Sequence, residues 1–115
     1  MKKKEFLEDI FKSVLGRTAE VKSDGCGQNY LLSWYEGGEK KYLTVWVDVL
    51  GGGRISLKVK GVESEALASR VATALYSAVY WSDKNYIVDA ATKADYYRNR
   101  ENGSWVARLR MDKVW

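Results

Sequence analysis

Apolar and polar residues alternate with a period of two through the middle of the chain. Leu43, Val45, Val47 and Val49 are interleaved with Tyr42, Thr44, Trp46 and Asp48, and Ile55, Leu57 and Val59 with Arg54, Ser56, Lys58 and Lys60. Each run therefore has one oily face, as a half-buried strand does. Between them lie Gly51, Gly52 and Gly53. A three-residue loop there sets Leu50 opposite Arg54 and places the pairs Val49/Ile55, Val47/Leu57 and Val45/Val59 on one face. A two-residue loop sets Val49 against Arg54 and throws every side chain to the wrong side. The same test applied to a four-residue loop of Gly37, Gly38, Glu39 and Lys40 pairs Tyr35 with Tyr42, Trp34 with Leu43, Leu32 with Val45 and Leu31 with Trp46. Tyr30 to Lys60 thus reads as a three-strand meander. Its inner face is Tyr30, Leu32, Trp34, Leu43, Val45, Val47, Val49, Ile55, Leu57 and Val59, and its outer face sets aromatics beside a basic edge.

On either side of the meander the period changes to that of a helix. Residues 3–15 align Phe6, Leu7, Ile10, Phe11, Val14 and Leu15 on one stripe, and Gly16 ends it. Residues 63–81 form a second helix, with Leu67, Val71, Leu75, Ala78 and Val79 as the buried stripe and alanines that allow close approach to a sheet. Residues 18–23 read as a short edge strand with Ala19 and Val21 inward, followed by a turn at Asp24-Gly25-Cys26-Gly27. Beyond the second helix, Tyr86-Ile87-Val88 is a short strand, and residues 89–101 admit either helix or strand. A strand from about Ala94 is preferred, because Asn102-Gly103 is a strong hairpin signal and Trp105, Ala107, Leu109 and Met111 alternate with Val106, Arg108 and Arg110. A two-residue Asn-Gly turn pairs Asp95 with Arg110, Tyr97 with Arg108, Tyr96 with Leu109 and Arg98 with Ala107.

The order is α-β-β-β-β-α-β-β, with a further strand at Tyr86–Val88. It predicts a single two-layer α+β domain over residues 1–115, an antiparallel sheet of about five to seven strands with two helices packed on one face. The leading helix, three strands and helix resemble double-stranded-RNA-binding domains and some secretion chaperones in topology alone. The chain has no proline, no histidine and no basic cluster at the start of its second helix, features expected of the former, and the latter are usually acidic. No family is assigned.

At 115 residues one domain can bury about two-thirds of the surface its unfolded chain exposes, so no disulfide or metal is needed to hold it. Cys26 is the single cysteine and histidine is absent, which argues against a zinc site and leaves a cysteine nucleophile without its usual base. Neither glycine cluster has the spacing of a phosphate-binding loop. No carboxylate pair stands out. The expectation is a chain with no enzymatic activity, no cofactor and no metal. No apolar run approaches the roughly 20 residues of a membrane helix, and Met1-Lys2-Lys3-Lys4 leads into an amphipathic helix rather than a signal-peptide core. The expected location is cytoplasmic, with no membrane partner. Of the net charge of +4, three units come from Lys2, Lys3 and Lys4, so charge alone says little about partners.

The outer face of the meander is the one constellation that asks for a partner. Leu31, Tyr35, Tyr42 and Trp46 are its aromatic or apolar anchors, and Arg54, Lys58 and Lys60 its charged rim, the composition interfaces favour. The expected function is a small protein-interaction module, an inhibitor, adaptor or chaperone-like protein of a kind a phage or mobile element could encode, with self-association as a homodimer also compatible. The alternative is nucleic-acid binding by the same face, rings stacking on bases and cations on phosphates. Arg98, Arg100, Arg108 and Arg110 add little to that alternative, because the Asn-Gly register divides them between faces. A competing arrangement folds the C-terminal hairpin over the outer face and makes it a second core.

Overall fold

The computed structural model describes residues 3–23, 29–80 and 94–112. Over these the chain forms α1 (Lys3–Leu15), β1 (Glu20–Ser23), β2 (Asn29–Glu36), β3 (Glu39–Leu50), β4 (Arg54–Val62), α2 (Glu65–Tyr80), β5 (Asp95–Arg98) and β6 (Trp105–Asp112). The six strands make one antiparallel sheet in the order β1-β2-β3-β4-β6-β5. Both helices pack on its inward side, α1 against α2 and β1, and α2 against β4, β5 and β6. The fold is α+β, as the strand and helix periodicities predict. The expected strand at Tyr86–Val88, the turn at Asp24–Gly27 with Cys26, and Trp81 lie outside the described residues.

The α1 stripe buries Phe6, Leu7, Ile10 and Phe11. It ends where Gly16 takes φ +97°, a left-handed value natural to glycine, and its N–H donates to the Lys12 carbonyl at 3.0 Å. α2 starts at Glu65 rather than 63, because Ser64 caps it: the Leu67 N–H donates to Ser64 Oγ at 3.2 Å. Its buried stripe keeps Val71, Leu75 and Val79 of the expected one and adds Ala68 and Ala72. Ala68, Val71, Ala72, Leu75 and Val79 face the sheet, whereas Leu67 is 37 % exposed.

The β3–β4 hairpin has the register its alternation requires: Leu50 faces Arg54, Val49 faces Ile55, Val47 faces Leu57 and Val45 faces Val59. The β2–β3 hairpin is tighter than the four-residue loop expected. Gly37 and Gly38, with φ of +59° and +81°, form a two-residue turn, and the pairs become Tyr35/Lys40, Trp34/Lys41, Ser33/Tyr42, Leu32/Leu43 and Leu31/Thr44. Two successive left-handed residues are what the turn best matched to strand twist needs, and glycine supplies both. The correction is a shift of two residues, so every side chain keeps its predicted face.

The β5–β6 turn shows the opposite correction. Asn102-Gly103 does not form a two-residue turn but closes a four-residue loop: the Asn99 N–H donates to the Ser104 carbonyl at 2.7 Å and the Gly103 N–H to the Asn99 carbonyl at 2.9 Å. Asparagine side chains hold the loop, Asn99 Oδ1 accepting from the Glu101 N–H and Asn102 Oδ1 from the N–H and hydroxyl of Ser104. Asp95 therefore faces Arg108 instead of Arg110, Tyr96 faces Ala107, Tyr97 faces Val106 and Arg98 faces Trp105. The shift is again by two, and the arginines stay divided between faces.

β6 joins the sheet edge to edge with β4, pairing Met111 with Ile55, Leu109 with Leu57 and Ala107 with Val59. It does not lie over the outer face. The β4–β6 register shifts between Val59 and Val62, where Gly61 takes φ +82° as the extra residue of a bulge. The bulge returns Val62 to the core while Lys60 points outward. Val49 departs from expectation: it shares the inner face yet is 69 % exposed near the Gly51–Gly53 loop, and Trp34 and Leu43 are only partly buried.

Candidate functional site: an aromatic and cationic sheet face

The outward positions are those one residue out of phase with the core. In the β2–β3 register Tyr42 lies opposite Ser33, so Leu31 and Tyr35 are its diagonal neighbours on β2. The three side chains are 43 % (Leu31), 54 % (Tyr35) and 55 % (Tyr42) exposed. Among the described residues no helix lies over them. Lys40 joins them: its Nζ is 5.7 Å from the Tyr35 ring centroid and 5.6 Å from that of Tyr42. Sequence reasoning missed Lys40 because the longer loop left it outside the strand. The Gly37-Gly38 pair was the signal that would have placed it.

Trp46, four positions along β3 from Tyr42, is half-buried. Lys58 is its cross-strand partner, yet the cation on its ring is Lys60, with Nζ 3.7 Å from the centroid. Lys58 turns instead to Asp48, 2.9 Å from Nζ to Oδ2. Asp48 is therefore what frees the Trp46 ring for Lys60. Lys58 also sits directly opposite Arg108 on β6, two like charges that would repel if left alone. Each has its own carboxylate. Arg108 is held by Asp95, Nε to Oδ1 at 2.9 Å and a second nitrogen to Oδ2 at 2.5 Å, and it lies 5.2 Å from the Tyr97 ring. The hydrogen bond that Arg108 donates to Asp95 raises its pKa above its already high ordinary value. The β6 end of the face is less open, with Val106 buried opposite Tyr97. Asn29 Oδ1 and Ser56 Oγ, both at outward positions, are buried with no hydrogen-bond partner among the described residues.

The structure thus brings together Leu31, Tyr35, Tyr42, Trp46 and Lys60 of the predicted site. Lys58 adjoins them but is engaged by Asp48. Arg54 is six residues from Lys60 along β4, roughly 20 Å at the rise of a strand, and lies at the far end of the face. Arg108 and Arg110 enter the same face because β6 pairs with β4. Among the described residues no helix is long and apolar enough to cross a membrane, and no group of three or more His, Cys, Asp or Glu side chains converges as a metal ion would need.

The fold and face define a two-layer α+β domain with an aromatic and cationic sheet surface on the side opposite its helices. The chain matches no protein-family model, no curated protein and no solved structure.

Proposed function

We propose that the chain is a non-enzymatic protein-interaction module, an inhibitor, adaptor or chaperone-like protein of the cytoplasm, whose outer β2–β3 face docks another protein. The observation that carries this reading is the side-by-side exposure of Leu31, Tyr35 and Tyr42 on a regular sheet. Contiguous apolar surface costs free energy in water and is recovered when a partner covers it, and aromatic anchors within a charged rim are the usual composition of such interfaces. A docking patch of about 800 Å² per partner would occupy roughly a tenth of the 6996 Å² surface.

Affinity capture from the native host, quantified by mass spectrometry, tests the reading. Tyr42→Ala combined with Trp46→Ala should deplete at least one partner by about tenfold, a loss of roughly 1.4 kcal/mol, while circular dichroism and the thermal midpoint show a folded chain. A folded double variant that retains every partner would sink the proposal.

A further inference from the structure

We infer that the segment docked on this face is acidic, a stretch of the partner whose carboxylates meet Lys40 and Lys60 on either side of an apolar side chain seated at Tyr42 and Leu31. The inference rests on the docking reading above and adds the chemistry of the partner.

Three observations carry it. The first is charge. β4 and β6 turn outward five cations, Arg54, Lys58, Lys60, Arg108 and Arg110, against one carboxylate, Asp112. Asp48 and Asp95 on the flanking strands pair with Lys58 and Arg108. An excess of positive charge remains on the face, and it would repel a second copy presented face to face.

The second is the state of Lys40 and Lys60. Neither contacts a carboxylate among the described residues, and each ammonium rests on aromatic rings. A lysine so held has lost part of the rotamer freedom that a surface ion pair normally costs. A carboxylate arriving from a partner meets a charge already in place, beside the exposed apolar side chains.

The third separates an acidic peptide from a nucleic acid, which offers the same negative charge. Stacking needs an open ring face. A base seeking Trp46 must first displace Lys60 from 3.7 Å. A peptide needs no stacking, since its aliphatic groups can contact ring edges and Leu31 while its carboxylates take the lysines.

The test is a selection from a random 12-residue peptide library against the immobilised full chain, with binding of the winning peptides measured by fluorescence anisotropy at about 50 mM salt. A 12-nucleotide single strand serves as the competing probe. The expected winners carry Asp or Glu flanking an apolar residue. They weaken by about tenfold or more on Lys40→Glu plus Lys60→Glu, by less on Lys60→Gln, and also on Tyr42→Ala, each variant being shown folded by circular dichroism. Winners that depend on Tyr42 but are neutral or basic, and are indifferent to the lysine reversals, overturn the acidic assignment and leave the docking face standing. Winners indifferent to Tyr42→Ala, or no winners at all, overturn both. So does an oligonucleotide that binds more tightly than every peptide and is lost by about 200 mM salt.

Discussion

The two faces of this sheet are built from the same strands, one residue apart, and they satisfy their side chains in different ways. On the inward face Val45, Ile55, Leu57, Val59, Leu109 and Met111 are fully buried against α1 and α2, so that shape and the removal of apolar area from water hold them. On the outward face the long side chains satisfy one another: Lys58 with Asp48, Arg108 with Asp95, Lys60 on Trp46, and Lys40 between Tyr35 and Tyr42. Exposed pairs of this type are individually worth little to stability. The first face should therefore carry the fold, and the second is free to carry recognition.

Substitutions on the two faces should separate these roles. The largest effect is expected from Leu57→Ala, which opens a cavity at a fully buried position between β3 and β6. Chemical denaturation should show a loss of about 2–5 kcal/mol. Gly61→Ala should cost less, about 1–3 kcal/mol, because a residue with a Cβ resists the φ of +82° at the bulge. A Cβ built there meets no atom within 4 Å, so the strain lies in the backbone alone. Gly61→Asn should accordingly recover part of the loss, since Asn tolerates left-handed backbone. A null effect of Gly61→Ala would mean that the left-handed backbone at the bulge carries no strain for a residue with a Cβ. The smallest change is expected from Tyr42→Ala, within about 0.5 kcal/mol by the same measurement. If Tyr42→Ala destabilised the chain as much as Leu57→Ala does, the outward face would be a structural surface and the contrast between the faces would collapse.

The candidate site was legible in its membership more than in its contacts. Alternation assigned Leu31, Tyr35, Tyr42 and Trp46 to one face, and the structure keeps them there. The same alternation could not say that Lys60 rather than Lys58 covers Trp46, because that choice depends on Asp48 drawing Lys58 away. Nor could it place Lys40 among the tyrosines, or separate Arg54 from the cluster. Those outcomes depend on register and on distances along strands, which a count of apolar and polar positions does not contain.

The faces, the fold class and the places where the chain turns were determined by sequence alone. A period of two assigns each side chain to one side of a strand, and a register error of two residues, as at Gly37-Gly38 and again at Asn102-Gly103, leaves that assignment intact. Tertiary structure decided the rest. It chose the β4 edge for β6, so that Arg108 and Arg110 extend the outer face instead of covering it. It placed the extra residue at Gly61, and it left Val49 exposed despite its inward phase. Periodicity is a local property that repeats every two residues, whereas pairing, cover and reach are set by which distant segments compete for the same edge and the same surface.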